Sequence, residues 1–411
     1  MEPSLPSRPH VLIIGAGLGG LLLAQILRKN KISYEVFERD RNAYDRLQGW
    51  SIAIHSMLDE LRASVPDDLP PFEQTSNLLP LTLTPEFVFY PKSGGRKGVL
   101  DEGSGKIVRA NRSRLREWLS TNIPIQYNKQ AARIDEGDTS VTVHFKDGSS
   151  AVGDIVVGAD GSRSAVRKSI VGEQNDPLRW EPVVMITTDV ELDEKDMWEH
   201  LHLGTSLWGI DYKDPNGERT WFMSFTDKIA PDAKSGKFYF SLIWKDPAAA
   251  EKDFWIYSAT KEQLYKCMRQ RAATIPTRFS NVIKKAKPEG VKTPPLRLST
   301  LVLKSMPVGR VTLLGDAAHS MTPFRGEGGS QAMMDAVRLG EALVKCDKFD
   351  TDSIKGLLGP YQDEMLQRGG EAAKFSQLQY ALERNPGAAK DRMIAGHLIE
   401  PLPEKPISVT T

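Results

Sequence analysis

The stretch HVLIIGAGLGGLLLAQILRKNKISYEVFE, residues 10–38, decides the fold. It opens with a short apolar run, which is typical of a buried strand. Residues 18–30 then place apolar side chains at helical spacing and end on basic residues, as the last turn of a helix prefers. Residues 34–38 form a second apolar run. Strand, helix and strand in this order predict a βαβ unit, and therefore a parallel sheet with a right-handed crossover.

The turn between the first strand and the helix carries the pattern G-x-G-x-x-G at Gly15, Gly17 and Gly20. Gly15 permits a tight turn, Gly17 lets a pyrophosphate approach the backbone, and Gly20 lets the helix pack close to the strand. Glu38 follows 18 residues after Gly20, where a carboxylate accepts hydrogen bonds from ribose hydroxyls and disfavours a 2′-phosphate. A glycine-rich helix start that binds nothing is the alternative. The combined pattern favours FAD or NAD without choosing between them.

The composition is that of an ordinary globular protein. The chain has 411 residues, 40% hydrophobic and 26% charged, which predicts two domains or one large elaborated domain. A net charge of +1 gives no reason to expect nucleic acid or an acidic membrane as partner. The two cysteines, Cys267 and Cys346, lie far apart and predict free thiols in a reducing, cytoplasmic compartment. No segment reaches the length of an apolar membrane span, so we expect a soluble protein.

Farther along the chain the pattern changes twice. Residues 111–122 have helical spacing, and residues 140–158 read as an alternating strand, a turn at Asp147-Gly148 and a return as a buried strand. Residues 176–300 are dominated by alternating aromatic strands and contain six of the eight tryptophans. We therefore predict an α/β protein: a parallel-sheet, Rossmann-like domain with an inserted, mainly antiparallel sheet, closed by C-terminal helices through about Ile399.

Two further turns follow apolar strands and precede helices. They are GDIVVGADGSRSAVR at residues 153–167 and GDAAHSMTPFRGEGGSQAMMDA at residues 315–336. Taken singly, the first is a capped helix start in which Asp160 or Ser162 holds backbone N–H groups. The three turns together resemble the flavin-dependent aromatic hydroxylases, the single-component FAD monooxygenases typified by para-hydroxybenzoate hydroxylase. The chain looks most like the fungal secondary-metabolite branch of that family.

The resemblance implies a role for each residue of the third turn. Asp316 would hydrogen-bond the ribityl chain of FAD, and Pro323 would lie beside the isoalloxazine ring. Backbone amides around Gly326, Gly328 and Gly329 would face N1 and O2 of that ring. Independently, a helix that begins near Gly328 offers free N–H groups and a dipole of the right sign for the negative charge of reduced flavin.

Other positions are also carried over from the resemblance. Arg112 would reach the phosphate or ribityl part of FAD, and Asp160-Gly161 would contribute to FAD and NADPH binding. Gly49 joins the cofactor-binding candidates. Ser330 stands where the family usually has Asn, which weakens one ring-side hydrogen bond, although a serine there can still cap the helix.

The resemblance implies six segments along the chain. These are the first part of the FAD-binding domain (1–80), substrate-sheet strands (81–106), the second part of the FAD-binding domain (107–175), the substrate domain (176–300), the third part of the FAD-binding domain (301–345), and C-terminal helices with a tail (346–411).

The implied function is that of a flavin monooxygenase. NADPH or NADH binds transiently and reduces FAD, O₂ adds at C4a of the flavin, and one oxygen atom passes to an electron-rich small molecule. That molecule is an aromatic, indole or polyketide ring, or an alkene. Baeyer–Villiger, oxidase or cyclase chemistry, or a non-catalytic flavin-fold binding protein, are the alternatives. We expect a monomer or homodimer without nucleic-acid or membrane partners.

Candidates for catalysis lie in the aromatic insert. Tyr239, Trp208 and Trp221 are the candidates for facing the flavin, although aromatic residues on strands more often form plain core. Tyr239 would stabilise a phenolate or donate a proton. His200 and His202 form an H-x-H pattern, which on a strand would point both side chains to one face, but the surrounding sequence offers only Glu199 as a further ligand, so we predict core or surface histidines and no metal site.

Overall fold

The structure, a computed structural model, describes residues 9–45, 51–54, 57–92, 94–101, 107–381, 393–394, 397–398 and 400–403. The strands, in chain order, are β1 (His10–Ile14), β2 (Ser33–Phe37), β3 (Ser51–Ile54), β4 (Glu86–Tyr90), β5 (Lys97–Leu100), β6 (Val108–Asn111), β7 (Ile125–Gln126), β8 (Ala131–Glu136), β9 (Val141–Phe145), β10 (Ser150–Gly153), β11 (Ile155–Gly158), β12 (Arg179–Trp180), β13 (Val183–Asp193), β14 (Leu207–Lys213), β15 (Arg219–Ile229), β16 (Ser235–Lys245), β17 (Ser299–Thr300), β18 (Val311–Leu313), β19 (Met393–Ile394), β20 (His397–Leu398) and β21 (Glu400–Pro401). The helices are α1 (Leu18–Lys29), α2 (Leu58–Ser64), α3 (Arg112–Leu119), α4 (Ala165–Val171), α5 (Glu194–Leu203), α6 (Lys261–Arg271), α7 (Asn281–Lys285), α8 (Asp316–His319), α9 (Gly328–Val344) and α10 (Thr351–Ala381).

A five-stranded parallel sheet carries the first core. Its order is β18-β11-β1-β2-β7, and all four strand pairs run parallel. Its strands β1, β11 and β18 are short and almost wholly buried, and they consist mainly of Val, Ile and Leu, as is usual for parallel strands that are covered on both faces. The predicted βαβ unit is therefore confirmed, with α1 joining β1 to β2. The three glycine turns all follow carboxyl ends of neighbouring strands, β1, β11 and β18, so they meet at one edge of the sheet.

A seven-stranded sheet carries the second core. Its order is β13-β16-β15-β14-β4-β5-β21, and the pairs are antiparallel except for the parallel pair of β14 with β4. The inserted, mainly antiparallel sheet is thus confirmed. The register places Phe87, Leu207, Phe225 and Tyr239 side by side across four adjacent strands. These four residues, which we name the aromatic row, lie on one face, because alternate residues of a strand point to opposite faces.

One expectation about local structure is wrong, and another is incomplete. The predicted C-terminal helices do not continue to Ile399: within the described residues α10 spans Thr351–Ala381, and residues 393–394 and 397–398 form a small antiparallel pair. The buried strand predicted at Ile155–Val157 is confirmed as β11, but the strand that comes directly after the Asp147-Gly148 turn was missed. The chain first returns as β10, which pairs with β9, and only then enters the parallel sheet as β11. Gly153, at the end of β10, separates the two.

Helix α10 is 31 residues long and packs against α8 and α9. None of the helices in the described ranges, α10 included, has both the length and the apolar character needed to cross a membrane. The helix passes close to the third glycine turn, because Gly369 has no side chain to keep it away from the imidazole of His319.

Replacing Gly369 with alanine is expected to lower the free energy of unfolding by about 1–3 kcal/mol, the usual cost of overpacking. The added Cβ would lie 2.1 Å from Cδ2 of His319, a buried ring that cannot move aside. Gly356→Ala in the same helix is the matched control, since a Cβ there meets no atom within 4 Å. Helix propensity predicts that the control gains up to about 1 kcal/mol. Urea unfolding of both variants would show opposite signs; equal gains would contradict this packing.

Candidate active site

A cavity of about 520 Å³ lies where the three glycine turns meet the seven-stranded sheet. Its lining combines two groups of residues. The first comes from the glycine turns and the starts of α1 and α9, and the second from the aromatic row and neighbouring apolar side chains, among them Phe89, Met185, Met223, Ile243 and Leu298. One continuous space is therefore bordered by exposed backbone and by a flat apolar wall.

The first glycine turn is built by close approach of backbone to backbone. Gly15 has φ +115°, and a Cβ there would lie 2.3 Å from the carbonyl oxygen of Ala159. A Cβ on Gly20 would lie 2.1 Å from the carbonyl oxygen of Gly15. Gly17 differs from both, because its φ is −78° and a Cβ would meet nothing within 4 Å. The open space beside Gly17 belongs to the cavity.

Two charged side chains hold this turn from behind. Glu38 is buried, and its carboxylate accepts hydrogen bonds from the N–H groups of Ala16 at 2.8 Å and Asp40 at 3.0 Å. Arg116 on α3 donates through Nε to the carbonyl oxygen of Ala16 at 2.9 Å and through Nη1 to Ala43 at 3.0 Å. The sequence analysis identified Glu38 but missed Arg116. The sequence feature that could have indicated Arg116 is its position one turn after Arg112 on the same short helix.

The second glycine turn caps α4. The Asp160 carboxylate accepts a hydrogen bond from the N–H of Ala165 at 2.7 Å, and Ser164 accepts one from the N–H of Arg167 at 2.9 Å. Gly161, at φ +82°, lines the cavity, whereas Asp160 does not. Arg167, fully buried, donates to the carbonyl of Ala317 at 2.8 Å and so fastens this turn to α8.

The third glycine turn places a carboxylate and a bare helix start on the cavity. Asp316 opens onto this space but lies deep in the protein, so desolvation raises its pKa, opposed by the charges of His319 and Arg112. Helix α9 begins at Gly328 without a side-chain cap, so its first N–H groups face the cavity unshielded. Gly326, at φ +66°, makes the turn before it.

These features fit FAD. Helix α1 also begins without a side-chain cap, at Gly17, so two helix N-termini with partial positive charge border one cavity. The first suits a pyrophosphate, with open space at Gly17 in place of a Cβ. The second suits the electron-rich pyrimidine edge of a flavin. Arg112 and Asp316 line the space between them and provide a cation and a hydrogen-bond acceptor.

We name the surface formed by Gly17, Arg112, Asp316 and Gly328 the FAD cradle. The cavity wall opposite it is aromatic and carries a hydroxyl group. Tyr239 is buried and stacks on Phe225 with ring centroids 4.6 Å apart at an interplanar angle of 9°. Its hydroxyl lies 2.9 Å from Oγ of Ser51, which accepts a hydrogen bond from Nε of Arg109, also at 2.9 Å. Burial raises the pKa of Tyr239, with Arg109 opposing it, so the phenol keeps its proton at neutral pH.

Comparison with known proteins decides the family. A profile of the FAD binding domain family matches residues 114–376, more than half of the chain. The FAD-dependent monooxygenase thnD of Trichoderma harzianum is 39% identical over 407 residues, which cover 97% of this chain and 99% of that protein. The chain belongs to the FAD-dependent monooxygenases. Another relative, the FAD-dependent monooxygenase cctM of Talaromyces islandicus, is 28% identical over an alignment that covers 92% of this chain and 93% of that protein.

Solved structures of flavin monooxygenases share the fold. The 2,6-dihydroxypyridine-3-hydroxylase of Arthrobacter nicotinovorans superposes with a TM-score of 0.73 at 19% identity, covering 99% of this chain and 100% of that one. A salicylate hydroxylase in complex with its substrate superposes with a TM-score of 0.70 at 21% identity, covering 94% of this chain and 92% of that one. A second profile, of NAD(P)-binding Rossmann-like domains, matches residues 13–43, the segment that contains the first glycine turn and helix α1. Family membership decides against a non-catalytic binding protein.

In this FAD-dependent monooxygenase, most of the predicted cofactor residues lie around one cavity. Lining residues on the predicted list are Gly17, Gly20, Arg112, Gly161, Asp316, Pro323, Gly326, Gly328 and Gly329. Gly15 and Glu38 stand behind the first turn, and Gly49 lies outside the described residues. Ser330 does not cap α9, contrary to the expectation, because its hydroxyl donates to the carbonyl of Ala53 at 3.4 Å instead.

The catalytic candidates separate according to the strand face that carries them. Trp208 is buried in the second core, where its indole N–H donates to Nε2 of His200 at 3.2 Å. It does not face the cavity, contrary to the prediction, because its neighbour Leu207 does. Trp221 lies on the cavity face of β15 but packs edge-to-face on Phe324 and stays outside the lining.

The H-x-H pattern lies on helix α5 and not on a strand, so its two side chains diverge. His200 is a core histidine, and burial lowers its pKa to about 3. His202 donates through Nδ1 to the carbonyl oxygen of Trp198 at 2.6 Å, within its own helix. The described residues contain no cluster of three or more potential metal ligands.

A buried ion-pair network supports the third glycine turn, and the sequence did not reveal it. Asp335 on α9 accepts hydrogen bonds from the N–H of Gly315 at 2.6 Å, from Nε2 of His319 at 2.7 Å and from Arg368 at 2.7 Å. Because Asp335 ties the turn to α8, α9 and α10 at once, it fixes where Asp316 points. The only signal was the Asp-Ala pair that ends the third motif.

Proposed function

We propose that this flavoenzyme uses NADPH or NADH and O₂ to insert one oxygen atom into an electron-rich small molecule, by hydroxylation or epoxidation. The observation that carries the proposal is the continuity of the cavity. A cradle that fits FAD and an aromatic wall with a hydrogen-bonding hydroxyl border the same space. FAD bound there supplies the electron transfer and oxygen chemistry that protein side chains lack.

The protein part of the mechanism begins at the cradle. The uncapped N-terminus of α9 presents N–H groups to the cavity, where they would stabilise negative charge on the pyrimidine edge of a bound flavin. We propose that Asp316 accepts hydrogen bonds from the ribityl hydroxyls and that Arg112 binds the phosphate or ribityl part. The N-terminus of α1 beside Gly17 would bind the pyrophosphate, and Glu38 a ribose hydroxyl.

The opposite wall would bind and orient the substrate. Phe87, Leu207 and Phe225 form a flat apolar surface that excludes water and fits a planar, conjugated molecule. Tyr239, protonated because of its burial, would donate a hydrogen bond to a substrate oxygen. A salicylate hydroxylase and a 2,6-dihydroxypyridine-3-hydroxylase among the structural neighbours act on small aromatic rings, which supports this substrate class.

The reductant would bind only transiently. The sequence has a single G-x-G-x-x-G pattern at the start of the chain, and the FAD cradle uses it.

The six-segment domain division, the monomeric or dimeric state and the cytoplasmic location stay predictions from the sequence. The two cysteines are free thiols.

Asp316→Ala tests the proposal. Wild-type protein should be yellow, oxidise NADPH or NADH when given an acceptable aromatic compound, and place ¹⁸O from labelled O₂ in the product. The variant should bind FAD about 10–100-fold more weakly, since it loses hydrogen bonds to a charged acceptor. Asp253→Ala at the exposed surface is the control and should behave as wild type.

The product label also separates the alternatives. An oxidase would release hydrogen peroxide and leave the product unlabelled, and a cyclase would form product without incorporating oxygen. A Baeyer–Villiger enzyme would place the label inside a new ester. A colourless protein that refuses added FAD would overturn the proposal as a whole.

A further inference from the structure

We propose that Arg325 is a positioning residue for the flavin, because it holds the carboxylate of Glu327 away from the first turn of helix α9. The N–H groups of that turn then stay available to the flavin ring. The inference rests on the proposed function, which places the pyrimidine edge of the ring at α9. It adds a pair of charged residues that would set how strongly the site favours reduced flavin.

Glu327 stands where a side chain can occupy the N–H groups of its own helix. It is the residue directly before α9, and only 9% of it is exposed. A carboxylate there is attracted by the partial positive charge of the helix N-terminus and can accept hydrogen bonds from the free N–H groups. Such a bond would stabilise α9 but would use the donors that the FAD cradle needs. The side chain of Glu327 makes no hydrogen bond of this kind.

Arg325 is the partner that Glu327 has instead. Its Nη2 donates to Oε1 of Glu327 at 2.7 Å, and its Nε donates to the same oxygen at 3.1 Å. Gly326, at φ +66°, turns the chain between the two residues. In the part of the chain that the structure describes, Glu327 has no other ion-pair partner. The carboxylate is therefore directed by Arg325 and not by the helix.

The pair is shielded and packed. The two side chains expose 13% and 11% of their surface, so the attraction is screened less than that of an exposed pair. The guanidinium carbon of Arg325 also lies 5.6 Å from the ring centroid of Phe375 on α10, within the range of a cation–π contact. Arg325 borders the cavity, whereas Glu327 does not. The pair thus presents its positive member to the cavity.

The electrostatics at the start of α9 consequently depend on Arg325. While the pair is formed, it is neutral, and the partial charge of the helix N-terminus acts on a bound ring undiminished. Without Arg325, the carboxylate of Glu327 would be unpaired beside the first turn of α9. There it would occupy the N–H groups and repel the negative charge of reduced flavin.

The reduction equilibrium of the bound flavin tests this role. It is measured against a reference dye in FAD-loaded enzyme without substrate. Arg325→Gln should shift the equilibrium towards oxidised flavin at least about tenfold, which lowers the potential of a two-electron couple by about 30 mV. Arg325→Lys should shift it less, because a cation for Glu327 is retained. Arg338→Gln is the matched control and should change nothing, since Arg338 pairs with Glu341 at 3.1 Å on the exposed side of the same helix.

A second background separates positioning from a direct effect of the arginine charge. With Glu327→Gln present, Arg325→Gln should shift the equilibrium less than about threefold, because no carboxylate remains to be held. An equal shift in both backgrounds would show that Arg325 acts on the ring through its own charge. That result, or an unchanged equilibrium in Arg325→Gln alone, would overturn the proposal.

The apoprotein gives a readout that a purely structural ion pair would change differently. In Arg325→Gln the released Glu327 would cap α9, so the melting temperature of the apoprotein should fall by less than about 2 °C. The dissociation constant of FAD should nevertheless rise about tenfold. A larger fall in melting temperature, or an unchanged FAD affinity, would contradict the proposal. Neither reductant, O₂ nor substrate is used, so these outcomes are distinct from a failure of the ¹⁸O experiment.

Discussion

Gly17→Val is expected to give a folded protein that has lost FAD. A Cβ at Gly17 meets no atom within 4 Å and the backbone is at an ordinary φ of −78°, so the fold tolerates a side chain there. The valine would fill the space that we assign to the pyrophosphate and block the N–H groups of α1. Losing two or more charge-assisted hydrogen bonds corresponds to more than about 100-fold in affinity. Flavin absorbance after reconstitution, with the melting temperature of the apoprotein, measures both parts.

Gly20→Val separates a loss of ligand from a loss of fold. Its Cβ would lie 2.1 Å from the carbonyl oxygen of Gly15, so this variant should fail to fold. Gly356→Ala, far from the cavity on α10, should bind FAD normally. A yellow Gly17→Val protein with one FAD per chain would show that the open space beside Gly17 is not the pyrophosphate site.

Asp335→Asn is expected to destabilise the protein by about 3–5 kcal/mol, the usual cost of breaking a buried ion pair. The carboxylate is fully buried and compensates His319 and Arg368 at once. Asparagine would leave His319 without the anion it pairs with, and Arg368 with Glu364 as its remaining carboxylate partner. Urea unfolding at a fixed, saturating FAD concentration measures the loss, and the exposed Asp352→Asn is the control. A loss below about 1 kcal/mol would contradict the assigned charges.

The pH dependence of this loss has a defined window. Desolvation would lower the pKa of His319, but the charge and hydrogen bond of Asp335 outweigh it and raise the pKa above the ordinary value of 6.5. Its contribution is therefore complete below pH 6.5 and lost as pH rises through the raised pKa. Desolvation would raise the pKa of Asp335, but His319 and Arg368 lower it below 3.8. The contribution of Asp335 is complete above pH 3.8 and lost as pH falls. The free energies of unfolding of Asp335→Asn and wild type should therefore differ most between pH 3.8 and pH 6.5.

The parts of the site that follow from sequence are those encoded by local geometry. The first glycine turn requires glycine at Gly15 and Gly20, because a Cβ at either position would overlap backbone atoms of the neighbouring turn. The G-x-G-x-x-G pattern in the sequence shows this requirement directly. The topology then places three such turns at one sheet edge. The start of α9 near Gly328 follows from the same reasoning, whereas the role of Asp316 came from the resemblance to the flavin-dependent hydroxylases.

The phase of a strand could not be predicted in the same way. Leu207 and Trp208 are neighbours, and the alternating pattern of β14 fits either one on the cavity face. Trp208, the larger of the two, lies in the second core, where it packs on His200 and Phe222. A shift of one residue exchanges the faces, and only the strand register resolves it.

Contacts between distant segments were equally invisible. Ser51 and Tyr239 are 188 positions apart, and Arg109 joins them through a two-stranded ribbon of β3 and β6. No periodicity links these residues. The same holds for Arg368, which reaches Asp335 from another helix. Such sites depend on tertiary packing, which local patterns do not encode.

A crystal structure of the FAD-reconstituted enzyme tests the central claim most directly. We expect one FAD in the cavity, with its pyrophosphate at Gly17, its ribityl chain at Asp316 and the ring between the start of α9 and the aromatic row. Electron density for FAD elsewhere, or a ring turned away from Gly328 and Tyr239, would contradict the account.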